Sequence, residues 1–330
     1  MLKLRWKRRR LLYRSWKKRS ELSLIVNRTP NISKNDILGF STVRNEIQRL
    51  PFFLDYHRAL GVGHFFFVDN DSDDGTAEYL LQQTDVSLWG TKHSYKASRF
   101  GVDWLTYLQM RYAHGHWALT LDADEILILP KSDGANLRDL TTWLRQNKFR
   151  SFGAIMLDMY PDGPLGGQTY KAGDPIWDVL THFDRAEYSH TWQEKYQNIS
   201  IRGGPRKRMF FKSVPDHAPH LHKIPLVDWR RGYAYVSSTH IALPIKINSA
   251  LHTHFQGPTG ALLHSKFLPE VIKKSQSEKH RAEHFTHPDR YDTYYDSIVS
   301  GLSFMSDVSE KYQGPEQLES LGLIKKGRWS

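Results

Sequence analysis

The sequence predicts an α/β fold with a mainly parallel sheet flanked by helices on both faces, and three observations carry that expectation. Short apolar runs alternate with helical patterns from residue 37 to residue 121. Several runs are rich in β-branched or aromatic residues, as strands buried on both faces are. Each of three runs ends in a polar cluster, and in open parallel sheets ligands bind beyond the C-terminal ends of the strands.

The elements follow in order. Ile37 to Val43 reads as a buried strand, and Glu46 to Leu60 as a helix with Ile47, Leu50, Phe53 and Leu54 at helical spacing, Pro51 in its first turns and Gly61 as its stop. His64 to Val68 is the second strand, followed by the acidic turn Asp69 to Thr76 and a helix from Ala77 to Gln82. Val86 to Trp89 is the third strand; a polar loop holding Arg99 leads into a helix from Val102 to His114. Trp117 to Leu121 is the fourth strand and ends in Asp122-Ala123-Asp124-Glu125. The clusters Arg44-Asn45-Glu46, Asp69 to Asp74 and Asp122 to Glu125 should therefore converge on one sheet edge. Beyond residue 150 the pattern is irregular, with strands expected at Ala154 to Met159 and Arg208 to Lys212, a helix over 269 to 285 and a polar tail past Gly314. This divides the chain into a basic arm (1–34), a ligand-binding half (35–150), an irregular second half (151–300) and a tail (301–330).

With 330 residues, 39% hydrophobic and 13% aromatic, the chain can bury a sizeable core, as one elaborated domain or about two. Its net charge of +11 is concentrated at one end: residues 1 to 20 hold ten Lys or Arg and no acid, leaving the body nearly neutral. In the arm Leu2, Trp6, Leu12, Tyr13 and Trp16 share a broad helical face, interrupted by Arg5 and Arg9. Either this segment lies on an anionic membrane surface or it is a solvated tail. No apolar window reaches the roughly 18 residues of a spanning helix, no signal-peptide run is present and there is no cysteine, so a cytoplasmic location is expected, peripheral to the inner face of the membrane if the arm binds lipid.

Asp122 and Asp124, one residue apart beyond a buried strand, would repel each other unless a cation neutralises them. A divalent metal does this, and Mg²⁺ or Mn²⁺ suits oxygen ligands and can bridge to a diphosphate. An acidic surface turn is the plainer alternative for the pair. The four acids among Asp69, Asp71, Asp73 and Asp74 exceed what capping the next helix needs, so a carboxylate there can meet a base or ribose. Arg44 and Arg99 are candidate nucleotide partners, though Asn45 and Glu46 also read as a simple helix start.

Three motifs in order, Thr42-Val43-Arg44-Asn45-Glu46, Val68 to Thr76 and Leu121-Asp122-Ala123-Asp124-Glu125, resemble the inverting GT-A glycosyltransferases of family 2, in particular their bacterial branch. The resemblance covers residues 37 to 130. It implies a GT-A-like, Rossmann-like fold with an acceptor-side second half, and a UDP-linked or similar nucleotide-sugar donor. It further implies Thr42, Arg44, Asn45, Glu46, Asp69, Asp71 and Arg99 near the nucleotide, Asp122 and Asp124 at ribose and metal, and a late histidine, His264 or His254, completing the metal site. Lys266, Lys223 and Arg206 are candidates for the diphosphate. An inverting transfer also needs a base, for which Asp216 is favoured, with Asp158 and Glu194 as rivals; the family's usual Glu-Asp base pair is absent. The acceptor implied is a glycan or lipid-linked glycan, such as a bacterial surface polysaccharide. Two other classes remain: a nucleotidyltransferase on a related fold, which requires a Gly-rich basic loop after the first strand, and a basic nucleic-acid-binding protein, for which no recognition motif is present.

Overall fold

In the computed structural model, residues 2–130, 134–252, 254–270 and 301–329 are described. The strands are β1 (Ser23–Val26), β2 (Ile37–Val43), β3 (Val62–Asp69), β4 (Val86–Gly90), β5 (Trp117–Thr120), β6 (Glu125–Ile128), β7 (Ser151–Asp158), β8 (His182–Asp184), β9 (Ser189–Gln193), β10 (Asn198–Arg202), β11 (His222–Asp228), β12 (Ala234–Ser237), β13 (Ile241–Leu243), β14 (Thr259–His264) and β15 (Ser309–Lys311). The helices are α1 (Leu2–Lys18), α2 (Leu50–Leu60), α3 (Thr76–Leu81), α4 (Val102–Tyr112), α5 (Leu137–Gln146), α6 (Gly204–Phe210) and α7 (Pro315–Ser320). The expected helix over 269 to 285 lies almost wholly outside the described residues.

Side-chain alternation along β3 explains the layering. Phe65 and Phe67 enter the core that α2 and α3 cover, whereas Phe66 and Val68 enter the opposite core with Trp104, Leu105 and Leu108 of α4. The result is a Rossmann-like sheet with helices on both faces. Its nine strands run β1-β4-β3-β2-β5-β11-β7-β14-β6. The block β4-β3-β2-β5 is parallel, as the alternating pattern implies; β11 then lies antiparallel between β5 and β7, β7 and β14 pair in parallel, and β1 and β6 are antiparallel edges. The sheet therefore runs on across residue 150. Small antiparallel pairs, β9 with β10, β12 with β13 and β8 with β15, are added around it.

Three expectations change. Arg208 to Lys212 is not a strand: residues up to Phe210 close α6, which Pro205 opens at a position where its missing N–H costs nothing, while Arg208 reaches Asp184 at 3.0 Å. The helix expected from Glu46 begins at Leu50, because the amides of Glu46 and Ile47 are held by Thr76 and Asp74. The basic arm is not a frayed tail: α1 packs on α4 and β12, with Leu11 buried against Ala234 and Leu243, Lys7 Nζ donating to Tyr196 at 2.8 Å and Arg14 Nε donating to buried Asp103 at 2.6 Å. Among the described residues no helix is long and apolar enough to cross a membrane.

Burial also sets a pH response. It pushes His57, His64 and His220 down to about 4, His240 to about 3 and His222 to about 2, the last three being neighbours with ring centroids 5.2–5.8 Å apart. The unfolded chain takes protons onto these rings below about pH 6.5, whereas the native rings stay neutral to about pH 4 or lower. Stability is thus complete above about pH 6.5 and falls as the pH drops through that window. Thermal melts should show a midpoint declining from about pH 7 to about pH 5; a flat or rising midpoint would contradict the neutral buried rings.

Candidate active site

The loops after β2 and β3 are stitched together. Asn45, in a left-handed conformation at φ 54°, donates through Nδ2 to Asp73 Oδ1 at 2.7 Å and accepts from the Asp73 amide at 2.9 Å. Asp74 accepts from the amides of Ile47 and Thr76, and Arg44 Nη1 donates to Asn70 O at 2.7 Å. Asp69, buried and therefore raised in pKa, accepts from the hydroxyl and amide of Ser72. Two of the four acids in this turn, Asp73 and Asp74, thus brace the neighbouring loop. Asp71, at φ 61°, is exposed and faces Lys92 at 3.7 Å.

The third loop joins them through one arginine. Arg49, 4% exposed, donates from Nη1 to Glu46 Oε2 at 2.8 Å and from Nη2 to Ser265 O at 3.0 Å. Ser265 in turn donates from its amide to Asp124 O at 2.7 Å. The three polar clusters therefore meet at one sheet edge, as their strand ends imply.

Oxygens of Asp122, Asp124 and Glu125 lie within 4.8 Å of one another. Because β11 lies beside β5, it delivers Lys223 to this cluster: the ammonium, 4% exposed, donates to Asp122 Oδ2 at 2.8 Å and contacts Glu125 Oε1. Burial, then Lys223 in opposition, sets Glu125, which ends above the usual carboxylate range. Asp124 turns to His264, whose Nε2 lies 3.0 Å from Asp124 Oδ2. In the parallel register of β14 and β7, His264 stands opposite Asp158, and its Nδ1 is 2.6 Å from Asp158 Oδ1. Asp158 Oδ2 accepts from Arg206 Nε at 2.7 Å, which completes a chain Asp124–His264–Asp158–Arg206.

The charges along this chain reinforce each other. Burial works to raise Asp124, but His264, Arg49 and Lys266 outweigh it and hold the carboxyl well below its ordinary range. Burial likewise opposes the His264 cation, yet Asp124 and Asp158 raise its pKa; Asp158, against its own burial, is held to about 2 by Arg206 and His264. Desolvation and Arg206 bring Lys266 down to about 8.

Beside Asp122 opens a small cleft of ≈ 20 Å³, lined by Thr42, Phe100, Leu105, Thr120, Tyr235, Ser238 and Thr239 among others. The buried hydroxyl oxygens of Thr42 and Thr239 meet no hydrogen-bond partner among the described residues. Phe100 lines the cleft from a tight turn in which Arg99, Phe100 and Gly101 have successive φ values of 56°, 58° and 76°, and a Cβ at 101 would lie 2.6 Å from Thr42 Oγ1, so glycine is required there.

Of the residues singled out by sequence, the structure unites Glu46, Asp122, Asp124, Asp158 and His264, and puts Thr42 in the adjoining cleft. Arg99 is committed to its own chain: its guanidinium grips Asp103 Oδ1 at 2.6 and 2.8 Å and the carbonyls of Tyr235 and Val236 at 3.0 and 3.2 Å. Asp216 sits on an exposed 3-10 turn facing Arg202 at 3.9 Å, its side chain 96% exposed. Asp158 is enclosed by His264 and Arg206, which suits orienting the ring rather than accepting a proton from an acceptor. His254 is exposed and its amide bonds His252. Sequence reasoning overlooked Arg49, whose cation hides at a helix start, and the part played by Glu125.

No protein-family model matches the sequence, and no curated protein matches it. Among solved structures, a crystal structure of 4-diphosphocytidyl-2C-methyl-D-erythritol synthase aligns over 42% of this chain and 66% of that chain, less than two thirds of it, at 16% identity and a TM-score of 0.25. A match of that size carries no argument about activity. The resemblance to family 2 thus rests on the motifs themselves.

Proposed function

We propose that the chain is a metal-dependent glycosyltransferase that moves a sugar from a nucleoside-diphosphate donor, UDP-linked by preference, to a glycan or lipid-linked acceptor with inversion. The observation that supports this most is the Asp124–His264 pair at the C-terminal edge of the parallel strands, with Arg49, Lys223, Lys266 and Arg206 around it.

The carboxylate oxygens of Asp122 and Asp124, without thiolate, fit Mn²⁺ or Mg²⁺ and would hold the ion, and His264 would join them only as the neutral ring, once it has given up its proton and its bond to Asp124. When bound, the ion offsets negative charge on the departing diphosphate. Lys223 keeps the acid cluster balanced from below, and Arg49 fixes the Ser265 turn that supports Asp124. Lys266, with a pKa of about 8, is mostly charged at neutral pH and suited to a phosphate oxygen. Asp216 and Glu194, both exposed, remain the candidates for the acceptor's proton. Nucleotidyl transfer is disfavoured because the loop from Arg44 to Arg49 contains no glycine to cradle a triphosphate.

Thermal melts with nucleoside diphosphates test the donor assignment. A ligand at about 100 times its Kd adds roughly 2.7 kcal/mol to native stability, enough to raise the midpoint by a few degrees. UDP with Mn²⁺ should raise it, and neither component alone should do as much. A panel in which no diphosphate shifts the midpoint in the presence of metal would overturn the reading.

A further inference from the structure

The placement of α1 divides its surface in two. One face, carrying Leu4, Leu11 and Ser15, packs on the protein; Leu11 is 8% exposed and Ser15 0%. At 100° per residue, Trp16, Arg9, Leu2, Tyr13 and Trp6 occupy an arc of about 80° on the opposite side. Those residues are in fact exposed: Leu2 69%, Trp6 63%, Tyr13 61% and Trp16 45%. Arg5 flanks this arc on one side and Lys17, Arg10 and Lys3 on the other, with no acid in the helix. Their rings are organised by one another rather than by the core: Tyr13 stacks on Trp16 at 5.9 Å, Arg9 lies over Trp6 at 5.7 Å and Arg19 over Trp16 at 3.7 Å.

An apolar aromatic ridge between two basic borders, on a helix already fixed to its domain by its other face, is the geometry of an interfacial anchor. We infer that the outward face of α1 is a docking surface for an anionic phospholipid bilayer, with Trp6, Tyr13 and Trp16 entering the headgroup region and the flanking Lys and Arg meeting lipid phosphates. Charge complementarity selects the anionic bilayer: each basic side chain near such a surface contributes on the order of 1 kcal/mol. The exposed rings select lipid over nucleic acid, because a phosphate backbone rewards the cations but leaves a Leu and Trp ridge without a dry partner. The same helix rests on α4 and β12, and Phe100, Leu105 and Tyr235 of that side line the cleft, so the bilayer would lie on the cleft's side of the domain. The inference stands on α1 alone and does not depend on the glycosyltransferase reading.

Sedimentation of the whole protein with phosphatidylcholine vesicles, with and without phosphatidylglycerol, tests it. Binding should appear only with phosphatidylglycerol and weaken as salt is raised. The triple variant Trp6→Ala, Tyr13→Ala, Trp16→Ala changes outward rings only; its melting midpoint should stay near that of the wild type while partitioning falls roughly tenfold or more. The inference is overturned if the wild type ignores anionic vesicles. It is equally overturned if the triple variant binds them as well as the wild type, or if an oligonucleotide duplex is bound tightly and the vesicles are not.

Discussion

Asp124→Asn is expected to lower metal-dependent turnover by about 10²–10³-fold or more, the scale lost when one preorganised electrostatic group is removed from a site. The substitution keeps the shape of the side chain and lets the amide meet His264, so the fold should be retained. It removes the carboxylate that faces both His264 and the oxygens of Asp122 and Glu125. The predicted deficit is in kcat and in Mn²⁺ affinity, measured by sugar transfer or UDP release and by calorimetric titration with the metal. Normal turnover and normal metal affinity in a well-folded Asp124→Asn protein would remove the basis of the glycosyltransferase reading.

Lys223→Met should damage the fold itself. The lysine is 4% exposed and contacts Glu125, which is 1% exposed, so its loss leaves a buried carboxylate without its cation. Breaking a buried ion pair from one side typically costs about 3–5 kcal/mol, whereas replacing both members by neutral groups of similar shape costs far less. Chemical denaturation should therefore show a large loss in Lys223→Met and partial recovery in the double variant Lys223→Met, Glu125→Gln. Additive losses in the two variants would mean that the residues act on stability separately.

The parallel block was legible because its strands obey simple rules: apolar runs short enough for strands, helical spacing between them and polar residues at their ends. Asp122 and Asp124 were legible as a strand-end cluster for the same reason, whereas His264, 140 residues beyond Asp124, was reached only through the family resemblance, because β14 was not expected as a strand. What escaped was decided by long-range pairing. β11, with a lysine and a proline in His222–Asp228, lacks any strand pattern of its own and is specified by the neighbours β5 and β7 that it joins. The start of α2 was misplaced because its first residues bond to a loop some 30 positions later. Arg99, a candidate nucleotide contact by sequence, pairs with Asp103 four residues on, an i,i+4 spacing that was visible in the sequence and went unread.

Asp103 is where the surface and the interior of this molecule are tied. Wholly buried, it is held by Arg14 and Ser15 from α1 and by Arg99, whose other nitrogen grips the backbone of the strand bearing Tyr235. Trimming the first twenty residues, an ordinary step when a soluble fragment is wanted, would therefore withdraw two of those three supports. Arg99 would be left to balance the carboxylate by itself, and the wall it steadies would slacken far from the cut.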